Sequence, residues 1–209
     1  GAATPDIGFL GEEEGRSRTE ADLLWALDPI DGTVNFVHGL PLYAVSLALV
    51  AGNQPVLGVV DLPALGHRYQ AAEGLGAHRD GNRLPCPEPP PDLASAIVAI
   101  GDYAVGANAE AKNRDRLGVT ARLAATVLRV RMLGSAAIDL AWLAEGRLNA
   151  SVTLSNNTWD MAAGVVLARE TGHNVVDLSG QPYKLTSTAT FAAAPQVLPD
   201  LISSLTDLD

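Results

Sequence analysis

The sequence has few of the residues on which disulfide-bonded or nucleic-acid-binding proteins depend. The 209-residue chain contains one cysteine, Cys86, so neither an internal disulfide nor a cysteine-based zinc site can form. Aromatic residues make up only 5%, and 14 basic residues face 24 acidic ones, a formal net charge of −10. A surface this acidic argues against nucleic acid as the main partner, because phosphate backbones attract lysine and arginine.

Long apolar runs are also missing. No stretch of about 18 apolar residues, the length that crosses a bilayer, occurs in the sequence, and the first residues show no charged, apolar and small-residue signal pattern. We therefore expect no membrane partner and a cytoplasmic location. The composition, 47% hydrophobic and 18% charged, is typical of a globular protein with an ample core.

The most informative feature of the sequence is a pair of aspartates three positions apart. The apolar segment 23–27 predicts a strand that leads directly into Asp28. Pro29 has no N–H, so we expect the strand ladder to stop there, and Gly32 permits a tight turn after Asp31. A surface turn could explain Asp31 and Gly32 alone, but it does not explain the strand that leads into them.

This arrangement predicts a metal site. The carboxylates of Asp28 and Asp31 and the backbone carbonyl of Ile30 should meet near one point. Carboxylates that close repel each other unless a cation lies between them. Hard oxygen ligands suit Mg²⁺ or Ca²⁺, but the spacing lacks the oxygen side chains that an EF-hand calcium loop requires at its third and fifth positions.

Two other acidic segments are ambiguous on their own. Glu12, Glu13 and Glu14 follow a short apolar run and could simply be a solvated surface. Asp160 falls in the first turn of a predicted helix that stops before Gly172. An acid in that position is favoured by the helix dipole whatever its function.

Taken together and in this order, three motifs resemble the inositol monophosphatase family. They are Gly-Glu-Glu at 11–13, Trp-x-x-Asp-Pro-Ile-Asp-Gly-Thr-x-Asn-Phe-x-x-Gly-x-Pro at 25–41 and Trp-Asp-x-Ala-Ala-Gly at 159–164. The resemblance runs from about Phe9 to the C-terminus. It implies a lithium-sensitive phosphoric monoester hydrolase that forms homodimers. Two to three Mg²⁺ ions would activate water against a small phosphorylated polyol, with inositol 1-phosphate the leading candidate.

The resemblance also implies a role for each motif residue. The metal ligands would be Glu12, Asp28, the carbonyl of Ile30, Asp31 and Asp160. Thr33 would hydrogen-bond the attacking water, so the catalytic residues would be Thr33, Glu12 and Asp31. The substrate would contact Gly32, Thr33, Gly134, Ser135, Ala136 and Asp160.

Two departures from the family pattern affect these expectations. Thr153 stands where inositol-type members have a glutamate that contacts substrate hydroxyls. Histidinol phosphate, fructose 1,6-bisphosphate and 3′-phosphoadenosine 5′-phosphate therefore stay open as substrates, as does a non-catalytic role. Family members also carry several dozen residues before the Glu12 motif, including a water-activating aspartate. From the chain as given we expect diminished or absent turnover, with Mg²⁺ still able to bind.

The order of predicted elements indicates a layered α/β protein, the α/β/α/β/α sandwich of this family with its first helical segment missing. The proline-rich segment 86–92 divides an antiparallel-sheet half, residues 1–86, from an α/β half, residues 87–209, within one compact unit. The predicted strands are 43–50, 55–61, 68–72, 77–84, 95–101, 127–132 and 148–153, with shorter ones at 175–176 and 190–194. The predicted helices are 109–125, one capped by Ser135 and running to 144, the Asp160 helix, and a closing helix around 198–205.

Overall fold

The computed structural model describes residue 4 and residues 6–13, 15–17 and 22–206. Eight strands form the first sheet: β1 (Gly8–Gly11), β2 (Gly15–Ser17), β3 (Leu23–Asp31), β4 (Ala44–Ala51), β5 (Gln54–Leu62), β6 (His67–Ala72), β7 (Gly76–Arg79) and β8 (Asn82–Arg83). Five form the second sheet: β9 (Ile97–Ile100), β10 (Arg129–Arg131), β11 (Ala150–Thr153), β12 (Asn174–Val176) and β13 (Thr190–Ala193). The helices are α1 (Thr33–Val37), α2 (Ala109–Thr126), α3 (Ala136–Ala144), α4 (Thr158–Glu170) and α5 (Leu198–Thr206), with a short 3₁₀ turn at Leu93–Ser95.

The first sheet is a meander of hairpins with one parallel pair at its edge. Its strand order is β2-β1-β3-β4-β5-β6-β7-β8, and only β1 and β3 run parallel. Burial alternates residue by residue along β4, as expected for a strand with one face on the core. The predicted hairpins within 43–84 are confirmed.

The second sheet is mixed, in the order β10-β9-β11-β13-β12. Strands β10, β9 and β11 run parallel, and β13 is antiparallel to β11 and β12. The carboxyl ends of β9 and β11 therefore meet at one edge of the sheet. Loops that leave neighbouring parallel strands at such an edge commonly form binding crevices.

Helices α3 and α4 lie between the two sheets. Every residue of α4 from Met161 to Ala168 is buried, which suits a helix that has a sheet on each side. Ala162, Ala163 and Val166 pack on the first sheet, and Met161 and Val165 pack toward the second. Helices α2 and α5 contribute Leu123 and Leu201 to the core on the other face of the second sheet.

The layered α/β prediction is confirmed, and the described residues supply four layers of the expected sandwich. In sequence, all strands of the first sheet precede the proline-rich segment 86–92 and all strands of the second sheet follow it. In space, helices α3 and α4 pack against both sheets. The division into halves at residue 86 stays a prediction. No helix in the described part of the chain has the length and apolarity to cross a membrane.

Pro29 does not end strand β3, so that prediction is wrong. The ladder with β4 runs to Asp28, shifts register over the next residues and resumes where Asp31 pairs with Ala44. Such an irregularity lets a strand pass a residue without an N–H and re-aims the side chains on either side of it. The shift therefore lies between the two aspartates of the motif.

Gly58 on β5 marks the closest approach between α4 and the first sheet. A Cβ atom at Gly58 would lie 2.4 Å from the carbonyl oxygen of Ala163 and 2.7 Å from its Cα. Neither backbone can move without disturbing the layer, so we expect Gly58→Ala to lower the free energy of unfolding by about 1–3 kcal/mol in urea titrations. Gly101→Ala is the control, since its Cβ would meet Thr153 at an ordinary 3.7 Å. Equal stability of the two variants would contradict this packing.

Candidate active site

The parallel pairing of β1 with β3 brings the first two acids together. Gly11, the last residue of β1, pairs with Leu27. Glu12, directly after β1, therefore lies level with Asp28 in the neighbouring strand β3, and the charge of Asp28 acts directly on the carboxyl of Glu12. Asp28 is buried and accepts a 2.9 Å hydrogen bond from the backbone N–H of Ile30, which fixes its carboxylate on the irregular part of the strand.

Asp31 is held by the N-terminus of α3, a segment about a hundred residues later in the sequence. The Ser135 hydroxyl and the Ala137 backbone N–H, the latter at 2.8 Å, both donate to Asp31 Oδ2. Ser135 also accepts from the Ile138 N–H and so caps α3, as predicted. An acid at this position is favoured by the free N–H groups and the dipole of the helix.

Asp160 reaches the same point from the first turn of α4. The Ser46 hydroxyl, on the β4 residue that pairs with Asp28, donates to the Trp159 carbonyl at 2.9 Å. This bond joins the start of α4 to the strand beside the aspartate pair. As a result, carboxylate oxygens of Asp28, Asp31 and Asp160 all lie within 4.8 Å of one another.

Crowding and burial make these carboxylates reluctant to ionise. Burial, followed by the charges of Asp31 and Asp28, raises the pKa of Asp160 to about 8. Burial also raises the pKa of Asp31, although the donors from α3 oppose it. The pKa values of Asp28 and Glu12 are raised too, chiefly by burial and then, for Glu12, by Asp28. A divalent cation bound among these carboxylates would stabilise their ionised form and lower their pKa values.

Close contacts fix the distance between the end of strand β3, with Gly32 after it, and the start of α3. Gly32 has φ 86°, and a Cβ there would lie 2.8 Å from the Leu42 carbonyl oxygen and 3.1 Å from that of Gly134. Only glycine satisfies both the conformation and the space. Asn35 completes the junction, because its side-chain amide donates to the carbonyls of Leu42 at 2.7 Å and Leu133 at 2.8 Å.

The positioning role of Asn35 was not predicted from the sequence. The Asn-Phe pair in the motif was the available signal, but its partner Leu133 lies 98 residues away. Thr33 begins α1, and its hydroxyl donates to the Ile30 carbonyl at 3.0 Å. That carbonyl keeps a second lone pair, so the contact leaves the predicted ligand role of Ile30 possible.

A cavity of about 380 Å³ opens from the aspartate triad toward the carboxyl ends of β9 and β11. Asp31 and Asp160 lie at one side of it, with the predicted substrate residues Gly134, Ser135 and Ala136. The remaining wall carries residues that sequence reasoning did not select, together with Thr153; these include Asp102, Tyr103, Arg116, Asp139 and Ser155. Burial, followed by the charges of Asp31 and Asp102, raises the pKa of Asp139 well above its ordinary value.

The structure therefore brings the predicted residues to one place. Asp28, Asp31 and Asp160 form a triad that could hold a metal ion, and Glu12 lies beside it. Glu13 is exposed, and Glu14 lies outside the described residues. Within the described part of the chain no lysine or arginine forms an ion pair with these acids. Clustered carboxylate oxygens of this kind are a donor set that fits a hard divalent cation.

Comparisons with known proteins agree with this geometry. The profile of the inositol monophosphatase family matches residues 2–208. The chain is 40% identical over 192 residues to the inositol-1-monophosphatase ImpA of Mycolicibacterium smegmatis, covering 91% of this chain and 69% of that protein. It is 36% identical to the probable inositol 1-monophosphatase ImpA of Mycobacterium tuberculosis, covering 97% of this chain and 75% of the relative.

A solved structure shows the same fold. The inositol monophosphatase of Anabaena (Nostoc) sp. PCC 7120 superposes with a TM-score of 0.93 at 28% identity, covering 100% of this chain and 81% of that one. The predictions of the family, of its layered fold and of a phosphoric monoester hydrolase are confirmed. The chain belongs to the inositol monophosphatase family.

Proposed function

We propose that this protein hydrolyses inositol 1-phosphate to inositol and phosphate with the help of Mg²⁺. The observation that carries the proposal is the triad of Asp28, Asp31 and Asp160, whose oxygens lie within 4.8 Å of one another beside a cavity that Asp31 and Asp160 line. The names of the most similar relatives favour inositol 1-phosphate over the other substrates considered. One relative, from Thermotoga maritima, is named as both a fructose-1,6-bisphosphatase and an inositol-1-monophosphatase, so fructose 1,6-bisphosphate belongs in the test panel.

Each acidic residue has a proposed place in the reaction. Glu12, Asp28 and the Ile30 carbonyl would hold one ion, and Asp28, Asp31 and Asp160 a second; a third, more weakly bound, would share Glu12. Two divalent ions in such a site lower the pKa of bound water and stabilise the attacking and leaving oxygens.

The surrounding backbone and hydroxyl groups would do the positioning. The Thr33 hydroxyl, which now donates to the Ile30 carbonyl, would orient the attacking water together with Glu12 and Asp31. The backbone N–H groups of Gly32 and Thr33 would donate hydrogen bonds to phosphoryl oxygens. Gly134, Ser135 and Ala136 would contact the polyol. Positioning and electrostatic stabilisation account for most of the rate in phosphoryl transfer.

Three further properties are part of the proposal. We propose lithium sensitivity, because Li⁺ would compete for the same oxygen ligands. A homodimer is supported by exposed apolar side chains on and after α1, where Val34, Phe36, Val37 and Leu40 are 46–71% exposed. The unpaired, exposed Cys86 suits the reducing cytoplasm. Light scattering and cell fractionation test the last two.

The deciding experiment measures phosphate release from inositol 1-phosphate, histidinol phosphate, fructose 1,6-bisphosphate and 3′-phosphoadenosine 5′-phosphate. We expect release that requires Mg²⁺, is inhibited by Li⁺ and is fastest with inositol 1-phosphate. Mg²⁺ binding measured by calorimetry on the same protein separates a lost metal site from a slow chemical step. Absence of both Mg²⁺ binding and hydrolysis would refute the proposal.

A further inference from the structure

Two oppositely charged side chains line the cavity outside the acidic triad. Arg116 lies on α2 and is partly exposed, while Asp102 follows β9 by two residues. Arg116 donates to the Ser155 hydroxyl at 3.0 Å. Among the described residues, no carboxylate lies within 4.0 Å of its guanidinium, and Asp102 has no ion-pair partner.

Both residues are directed to this cavity by the backbone around them. Arg116 shares one face of α2 with Val119 and Thr120, which also line the cavity. Gly101 donates its N–H to the Val152 carbonyl at 3.0 Å, so Asp102 follows directly from the last contact between two neighbouring strands. Because Asp31 and Asp160 line the same cavity, a ligand held at the triad extends into the space that these two charges border.

We propose that Arg116 determines substrate specificity by donating hydrogen bonds to hydroxyl oxygens of the polyol, while Asp102 accepts from neighbouring hydroxyls. This inference rests on the proposed function. A guanidinium offers only donors and an ionised carboxylate only acceptors, whereas a hydroxyl can do both. A polyol is thus the ligand class that satisfies both side chains at once.

A second anionic group on the substrate fits the cavity less well. Asp102 and Asp139 line the cavity too, and the charge of Asp102 reaches far enough to disfavour ionisation of Asp139. A second phosphate at Arg116 would share the cavity with these acids. A purely structural role also fits poorly. Among the described residues the Arg116 guanidinium makes one hydrogen bond, an exposed one to a neutral hydroxyl.

The test compares inositol 1-phosphate with p-nitrophenyl phosphate, an ester without hydroxyl groups. We expect Arg116→Leu and Asp102→Ala each to lower kcat/KM for inositol 1-phosphate by about ten- to a hundredfold, the usual effect of losing a charged hydrogen bond. Hydrolysis of p-nitrophenyl phosphate should stay near the wild-type rate. Arg114→Leu and Asp115→Ala are the controls, since both residues are exposed on α2 outside this cavity, and their substrate ratio should not change.

Calorimetric binding in the presence of Mg²⁺ gives the same comparison if turnover is slow. The Kd of inositol 1-phosphate should rise about ten- to a hundredfold in Arg116→Leu, and that of inorganic phosphate should not change. The inference is overturned if Arg116→Leu weakens the binding of both ligands equally. It is also overturned if a folded Arg116→Leu variant keeps the wild-type ratio of kcat/KM for inositol 1-phosphate to that for p-nitrophenyl phosphate. Inositol 1,4-bisphosphate, which carries a second phosphate, is tested in parallel. If Arg116→Leu weakens the binding of this bisphosphate alone, Arg116 belongs to an anion site and the inference is overturned. If the wild-type protein hydrolyses p-nitrophenyl phosphate but neither binds nor hydrolyses inositol 1-phosphate, the proposed function itself fails.

Discussion

Replacing Asp31 with asparagine should lower kcat/KM for inositol 1-phosphate by more than about a hundredfold while leaving the fold intact. Even residues that merely orient metal ligands cost ten- to a hundredfold when they are lost. In the proposed site Asp31 would contact the ion directly, since its carboxylate lies within 4.8 Å of those of Asp28 and Asp160. Loss of the residue should therefore have a larger effect than loss of a supporting group.

The local hydrogen bonds explain why the variant should still fold. Asp31 Oδ2 receives two donors, the Ser135 hydroxyl and the Ala137 N–H. The amide oxygen of asparagine can accept both, so the amide NH₂ must face the other carboxylates. That group has no lone pair for a cation, and it removes one negative charge from the cluster. The N-terminus of α3 stays satisfied while the metal site is lost.

The measurement combines steady-state phosphate release with thermal unfolding in EDTA. We expect the variant to unfold at or above the wild-type temperature, because burial raises the pKa of Asp31 and so disfavours its charged form. Asp22→Asn is the matched control, an exposed aspartate at the start of β3. A variant with wild-type turnover, or one that fails to fold, would show that Asp31 has a different role.

The acids of the site could be predicted because each lies in a short motif beside a local structural signal. Asp28 follows an apolar strand, and Asp160 opens a helix that ends at Glu170 before the positive-φ Gly172. The hydroxyl of Ser135 likewise marks the start of α3. In each case the signal and the structure it specifies are only a few residues apart.

The parts that could not be predicted depend on contacts between distant segments. Pairing of β1 with β3 places Glu12 beside Asp28, yet nothing local indicates a parallel pair across an intervening strand. Ser135 binds Asp31 across 104 residues of sequence. Arg116 lines the same cavity as Asp31 and donates to Ser155, which lies 39 residues further along the chain. Pro29 does not end β3 because an irregular strand can pass a proline and then resume.

The second large effect concerns stability without metal. In EDTA we expect the free energy of unfolding to fall by about 1–2 kcal/mol as the pH rises from 6.5 to 8. The pKa of Asp160 is raised to about 8 in the folded protein, against an ordinary value of 3.8. Between these values the folded state binds more protons than the unfolded state, so each rise in pH favours unfolding. The effect ends above about pH 8, where both states are ionised.

The lower end of the pH range is chosen because of a second buried group, His173, whose contribution to stability changes with pH in the opposite direction. Burial lowers the pKa of His173 from 6.5 in the folded protein. Below pH 6.5 the unfolded state therefore binds the extra proton at this residue, and stability rises with pH. The two contributions oppose each other in that range. Above pH 6.5 the unfolded histidine loses its remaining proton, so its opposing contribution fades by about pH 7.5 and the slope then reports the buried acids.

Urea titrations at pH 6.5, 7.0, 7.5 and 8.0 test this expectation. In EDTA, Asp160→Asn should remove most of the slope and exceed wild type in stability at pH 8, while Asp115→Asn, an exposed control on α2, should keep it. Saturating Mg²⁺ should reverse the sign, because the cation binds the ionised carboxylates and competes with protons. A flat profile in EDTA would mean that the carboxylates are already ionised and separately solvated. A slope that survives Asp160→Asn undiminished would assign the bound proton to another buried acid, such as Asp139, whose pKa burial also raises. Reversal of the slope by Mg²⁺ requires the ion to bind the same oxygens that otherwise share protons, so this experiment tests the metal site independently of any substrate.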